Sequence, residues 1–252
     1  MKALLLAAGK GTRLGSITEH TPKPLLEVRG TPVLRHLAAL CARHGVDELC
    51  INTHYLADRI RAVMGDGSDF GLRIRYSFEE ELLGTAGALH NFRDVLQDAP
   101  FFVLYGDNFM DYDLTAMADF HHARGGIGTV ALYEKDDVRH SGIAVLDDRA
   151  RIIRFIEKPA PGERISNLVN CGLYVLEPDV FSFLPDGASD FGKDVFPALL
   201  ADGKELYGMV MDRPLIAIDT VEMYRDAVAP EPGHASQRKS SRIQDSRGRH
   251  HD

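Results

Sequence analysis

Gly9, Gly11, Arg13 and Lys23 fall close together near the N-terminus, in Leu6-Ala7-Ala8-Gly9-Lys10-Gly11-Thr12-Arg13-Leu14 and the following Thr21-Pro22-Lys23-Pro24-Leu25. Gly9 and Gly11 let the chain turn sharply and bring backbone N–H groups near an anion, because no Cβ stands in the way. Arg13 adds a planar fork of donors and Lys23 a mobile point charge. The prolines on either side of Lys23 stiffen the segment that holds it. Together these residues are equipped to grip a triphosphate. Their spacing excludes two commoner nucleotide motifs. In a dinucleotide fingerprint the third glycine would come one position before Gly15, and in a P-loop Ser or Thr would follow Gly9-Lys10 where Gly11 stands.

Further candidates lie downstream. Asp107 follows Val103-Leu104-Tyr105-Gly106 at the end of an apolar run, where open α/β sheets bind ligands. A carboxylate there can take one or two positions on Mg²⁺ while phosphates and water fill the rest, or it can simply cap the next helix. Leu83-Gly84-Thr85-Ala86-Gly87-Ala88-Leu89 opens a helix with a glycine and a hydroxyl, suited to lying flat against a base and ribose. Glu79, just upstream, can accept from a guanine edge or from the imide N–H of uracil or thymine, or can be a surface acid. Glu157-Lys158-Pro159 closes one strand, beside Ser141-Gly142-Ile143 and Asn170-Cys171-Gly172. A Glu-Lys pair in such a place is usually a solvated charge pair.

The pattern G-x-G-T-R-L…T-P-K-P-L resembles the signature of the sugar-1-phosphate nucleotidylyltransferases, and the later segments resemble that family's in turn. The resemblance spans roughly residues 2–227. It implies a Rossmann-like α/β fold and transfer of a nucleoside monophosphate from an NTP to a sugar 1-phosphate, with Mg²⁺ as cofactor. By the same resemblance Arg13, Lys23, Asp107 and Lys158 are the catalytic set. Leu6, Ala8, Gly9, Gly11, Thr12, Glu79, Gly84 and Thr85 bind the nucleotide, and Gly142, Glu157 and Asn170 bound the sugar pocket. Asp107 is the first metal ligand.

One departure stands out. Alignment on Thr220, Glu222 and Tyr224 puts Ala217 where the second metal aspartate belongs. Asp219 lies two residues on, which on a strand is the same face, displaced by roughly 6–7 Å. Related enzymes use D-x-D-T here, so Asp219 is expected to be the second metal ligand. The G-T-A-G-A-L helix looks more like guanylyl- and adenylyltransferases, and the short chain is similar to guanylyltransferases acting on mannose- or heptose-type sugars, with GTP as the chosen donor. Uridylyl- or thymidylyltransfer to glucose 1-phosphate stays open. So does a catalytically silent nucleotide-sugar sensor, motivated by Ala217; an NAD-binding oxidoreductase is disfavoured by the glycine spacing.

Positioning these residues requires alternating strands and helices, and the sequence supplies them. Apolar runs at Lys2–Ala8, Glu48–Thr53, Leu72–Ser77, Phe101–Tyr105 and Thr129–Glu134 alternate with amphipathic stretches at Pro32–Arg43, Ala57–Met64, Gly84–Leu96 and Leu114–Arg124. This predicts an α/β protein, a mostly parallel sheet with helices on both faces. A hairpin follows at Gly142–Leu146 and Ile152–Ile156. Then come strands at Asn170–Leu176, Leu206–Met211 and Pro214–Ile218 and helices at Asp194–Leu200 and Val221–Ala227. Residues 1–228 read as one catalytic domain. Residues 229–252, with five basic and three acidic side chains and no apolar period, read as a disordered tail.

Composition narrows the class. The 252 residues carry a net charge of −8, against a dedicated nucleic-acid partner. Cys41, Cys50 and Cys171 are an odd number without metal-ligand spacing, and read as core residues in a reducing compartment. The first apolar run is too short for a signal peptide or membrane span, so no membrane partner and a cytoplasmic location are expected. Homo-oligomerisation is left open.

Overall fold

The computed structural model describes residues 1–160, 162–163, 165–212 and 215–229. The disordered tail expected over 229–252 therefore lies, save for Ala229, outside the described residues. A nine-stranded sheet is built from β1 (Lys2–Leu6), β2 (Glu48–Thr53), β3 (Arg73–Phe78), β4 (Phe101–Tyr105), β5 (Gly128–Glu134), β6 (Gly142–Leu146), β7 (Ile152–Glu157), β8 (Leu168–Leu176) and β9 (Leu206–Val210). Its order is β7-β6-β8-β4-β1-β2-β3, with β5 on β8 and β9 on β5. The run β4-β1-β2-β3 is parallel. β8 runs antiparallel to β4, and β6 and β7 form an antiparallel hairpin.

Each face is covered, which is why the central strands are apolar throughout rather than alternating with polar residues. From β1, Ala3 and Leu5 pack on one side with α1 (Val33–Arg43), α2 (Ala57–Met64) and α3 (Leu114–Arg124). Leu4 points the other way, into a core shared with the turns around Ala86–Leu96 and with α4 (Phe196–Ala201). The three cysteines are buried and free, and burial pushes each thiol up to about 12. Among the described residues no helix is long and apolar enough to cross a membrane.

Three expected elements differ. The Gly84–Leu96 helix is broken into Gly84–Gly87, Ala88–Phe92 and Arg93–Leu96, and the amides of Ala86 and Gly87 in its first turn donate to the Ser189 carbonyl. The helix expected from Asp194 begins earlier, with a π-helical turn at Phe191–Val195 that runs into α4. The strand expected over 214–218 shrinks to Ile216–Ala217, paired with Asn108–Phe109; residue 214 lies outside the described residues. A last helix, α5 (Val221–Val228), is capped by the Thr220 hydroxyl, which accepts from Met223 N at 3.2 Å.

Candidate active site

The strand register collects the site. Leu6 pairs with both Asn52 and Tyr105 across the parallel strands, and all three line a cavity of about 260 Å³ at the carboxyl ends of β1, β2 and β4. Ala8, Gly9, Lys23, Glu79, Gly84, Thr85 and Asp107 complete much of its wall. Gly106 is required just before Asp107, since a Cβ there would lie 2.6 Å from the Leu6 carbonyl oxygen.

Lys23 is the hinge of the charge arrangement. Its side chain is buried, and Nζ donates to Asp107 Oδ2 and, at 2.7 Å, to Asp219 Oδ1. Burial works to lower its pKa, but the two carboxylates outweigh burial and hold the ammonium above its ordinary range. Asp219 is the reverse case. Burial works to raise its pKa, and Lys23, with help from Arg13 and Lys135, holds it below the usual carboxylate range. Arg13, on the surface, reaches Asp219 Oδ1 at 3.1 Å. The short ribbon Asn108–Phe109/Ile216–Ala217 is what draws residues 107 and 219 together, with Ala217 opposite Asn108 and Asp219 just past the strand end.

Gly9 and Gly11 do different work. A Cβ on Gly9 would meet nothing within 4 Å, which leaves its face of the cavity open to a ligand. Gly11, at φ +64°, lies against the stem of Lys23 and the Thr18 methyl, and the Thr18 hydroxyl donates back to the Gly11 carbonyl at 3.0 Å. Its visible role is to seat Lys23. Thr12 is exposed.

Glu79 is nearly inaccessible, and both its oxygens accept from the protein, from Asn52 Nδ2 at 2.8 Å and from Leu83 N at 3.0 Å. Asn52 Oδ1 in turn accepts from Ala7 N at 2.8 Å, so Glu79 orients Asn52 and the β1 loop. Gly84 lines the cavity, but a Cβ on it would lie 2.4 Å from the Ser189 carbonyl oxygen, and one on Gly87 would lie 2.5 Å from that of Gly187. These glycines admit a neighbouring backbone as well as any base. Thr85 Oγ1 accepts from Phe191 N at 3.0 Å and donates to Asp190 Oδ1 at 3.3 Å.

The hairpin and β8 form the other side. Glu157 pairs in register with Gly142. Burial raises its pKa and Asp190 adds to that, while Lys158 and Lys193 pull it back. Lys158 is exposed and holds a left-handed backbone at φ +53°. Asn170 Nδ2 donates to Tyr174 OH at 2.7 Å, and Tyr174 OH donates to Tyr105 OH at 3.2 Å, so the β8 side is wired to the cavity wall. Sequence reasoning missed Asn52, Tyr105, Asp190 and Gly192. Asn52 carried a usable signal, as a polar residue near the end of a buried apolar strand. Asp190 and Gly192 carried none, because the contacts that tie them to the site, with Thr85 and with Glu157, are long-range.

The two converging carboxylates are hard oxygen donors, each about a third exposed. Among the described residues no group of three or more His, Cys, Asp or Glu comes together. That donor set fits a small cation that takes one or two carboxylates and completes its shell with water and phosphate oxygens.

A family model described as nucleotidyl transferase matches residues 2–214. The chain is 37% identical over 242 residues to a UTP–glucose-1-phosphate uridylyltransferase of Synechocystis, covering 90% of this chain and 62% of the relative. It is 37% identical over 210 residues to a mannose-1-phosphate guanylyltransferase of Mycobacterium tuberculosis, covering 82% and 58%. The chain thus spans about three fifths of the length of the curated relatives it matches. HddC from Yersinia pseudotuberculosis, solved in complex with GMP-PN, superposes with a TM-score of 0.75 at 25% identity, covering 90% of this chain and 97% of that one. A candidate glucose-1-phosphate thymidylyltransferase from Bacillus anthracis, in complex with a sucrose, gives a TM-score of 0.82 at 26% identity, with 90% and 93% covered.

Proposed function

The chain belongs to the nucleotidyl transferase family, and we propose that it transfers a nucleoside monophosphate from an NTP to a sugar 1-phosphate, forming a nucleotide-sugar and releasing pyrophosphate. The observation that carries this reading is the convergence of buried Lys23 with Asp107, Asp219 and Arg13 beside the open Gly9 turn. An oxygen of the sugar phosphate is already ionised. It forms the new bond to the α-phosphorus as the α–β bridging bond breaks and pyrophosphate leaves, so no general base is needed. Catalysis then rests on positioning and on stabilising charge.

Lys23 has three N–H donors, two of them on carboxylates, which leaves one for a phosphate oxygen. Arg13, exposed and paired with Asp219, is assigned the leaving pyrophosphate together with the amides of the Gly9–Gly11 turn. Lys158 is assigned the sugar phosphate, and Glu157, Gly142 and Asn170 the sugar. Asp107 and Asp219 would hold Mg²⁺, which when bound neutralises charge on phosphate oxygens.

For the base we favour guanine, with mannose- or heptose-type sugars. In support stand the guanylyltransferase relative and the neighbour solved with GMP-PN. The Synechocystis relative favours UTP and glucose 1-phosphate as the second reading. Pyrophosphate release across a matrix of NTPs and sugar 1-phosphates tests both. One preferred pair, with turnover and Mg²⁺ response both lost in Asp219→Ala, is the expected result. No release from any pair by a folded, nucleotide-sugar-binding protein would leave a sensor instead.

A further inference from the structure

The segment from Gly187 to Val195 touches both sides of the site, yet no motif in the sequence marks it. Ser189 N donates to the Leu83 carbonyl at 2.9 Å, and the Ser189 carbonyl accepts from Ala86 N at 2.9 Å. Asp190 and Phe191 engage the Thr85 hydroxyl. The π-helical turn at Phe191–Val195 then brings Gly192 against β7. A Cβ built on Gly192 would lie 2.6 Å from Glu157 Oε2, and one on Gly142, reaching the same oxygen across the hairpin, would also lie 2.6 Å away. The Phe155 ring stands at 3.0 Å and 2.8 Å from the same two positions. Neither glycine has a positive φ. Backbone conformation therefore does not reserve either place for glycine; what a Cβ would press there is the Glu157 carboxylate and the Phe155 ring.

We propose that Gly192 is a positioning residue of the sugar subsite, which by lacking a side chain leaves the Glu157 carboxylate room to stand between residues 142 and 192 and face a sugar hydroxyl. The inference rests on the sugar 1-phosphate reading above. Its physical content is steric. An oxygen at 2.6 Å from a Cβ is inside contact distance, so any side chain at 192 must swing the carboxylate elsewhere. A hydroxyl that lost that acceptor would cost binding of the sugar substrate and leave the NTP untouched. Because the segment is also tied to Thr85, the carboxylate is fixed relative to the nucleotide cavity.

The test uses the full chain and two readouts. In steady-state kinetics with the preferred substrate pair, Gly192→Ala raises KM for the sugar 1-phosphate by roughly tenfold, the scale of a hydrogen bond to a charged group. KM for the NTP stays within about twofold. Gly142→Ala, pressing the same oxygen from the other side, gives the same split. In Glu157→Ala the further change Gly192→Ala adds nothing, since no carboxylate remains to displace. Equal rises in both KM values, or additive effects in the double variant, would overturn the proposal.

The second readout needs no turnover. The ¹³C carboxylate titration of Glu157, its resonance assigned by Glu157→Gln, is followed with Asp190, Lys158 and Lys193 intact around it. Its midpoint falls in Gly192→Ala as the carboxylate swings to solvent; an unmoved midpoint refutes the positioning. If the wild type turns over no substrate pair, the functional reading fails on its own, and the titration still decides Gly192.

Discussion

On the parallel half of the sheet the site is held by charge, whereas on the antiparallel half it is held by missing side chains. Asp107 and Asp219 are brought together by a ribbon two residues long, and the buried Lys23 ammonium between them is what makes their approach tolerable. Across the site, Glu157 stands where two glycines leave room, and Asn170 hangs on a chain of two tyrosine hydroxyls. Charge that stabilises two phosphates in flight must already be fixed before substrate arrives. Recognition of a sugar needs shape and hydroxyl partners, and a closely packed surround with a few polar groups supplies those.

That contrast predicts unequal responses to substitution. Lys23→Met should have the largest effect, because it leaves two facing carboxylates without their cation. Loss of about 2–4 kcal/mol of stability is expected, somewhat below the fully buried case since both carboxylates keep some solvent. Turnover should fall by more than a thousandfold, roughly the upper range for a preorganised charge donor. The stability difference should also depend on pH. Lys23 is held above its ordinary value, so its contribution is complete at lower pH and is lost as pH rises through its folded pKa. Asp219 is held below its own, so its contribution is present above the unfolded value and is lost as pH falls through the folded one. Wild type and Lys23→Met should therefore differ by a constant amount between roughly pH 4 and pH 10.5 and converge outside it, as read by denaturant midpoints. A gap that ignores pH at both ends would mean that packing of the lysine stem, not charge, holds this half.

Arg13→Ala comes next. The side chain is exposed and shares Asp219 with Lys23, so little stability is at stake. Single-turnover rates should nonetheless drop by about 10²–10³. An unchanged rate would remove Arg13 from the reaction. Smallest is Tyr174→Phe. The fully buried ring stays, while Asn170 Nδ2 and Tyr105 OH lose their shared partner. About 1–2 kcal/mol of stability and a few-fold rise in sugar KM are expected. If NTP binding moved instead, the tyrosine chain would belong to the nucleotide half and the contrast would blur.

Much of this was legible in the residues, and unevenly so. Strands β1, β2 and β4 could be placed because they are short apolar runs ended by glycine or polar residues. Gly9, Lys23 and Asp107 could be picked because they follow those runs where a parallel sheet opens. Even Asp219, two residues from where the family pattern wants it, was reachable from spacing. Its carboxylate does converge with that of Asp107, although past the strand end and not on it. The Gly84–Leu96 stretch reads as one helix and is three short pieces, since its amphipathic pattern says nothing of the Ser189 backbone that ties its first turn. For Glu79 the residues leave a base-facing acid and a surface acid both open; in the fold it is buried, with its oxygens accepting from Asn52 and from Leu83 N.

The sequence by itself determined the alternation of strands and helices, the family, and which charged groups are on hand for phosphate chemistry. These are properties of local pattern and residue type, fixed within a few turns of chain. Only the tertiary structure decided that Lys23 would lie between two carboxylates 84 and 196 residues away. It alone decided that Gly192 would meet Glu157 and that Thr85 would be tied to Asp190. A side chain's partner across the fold depends on how layers pack and twist together, and neither composition nor spacing along the chain encodes that distance.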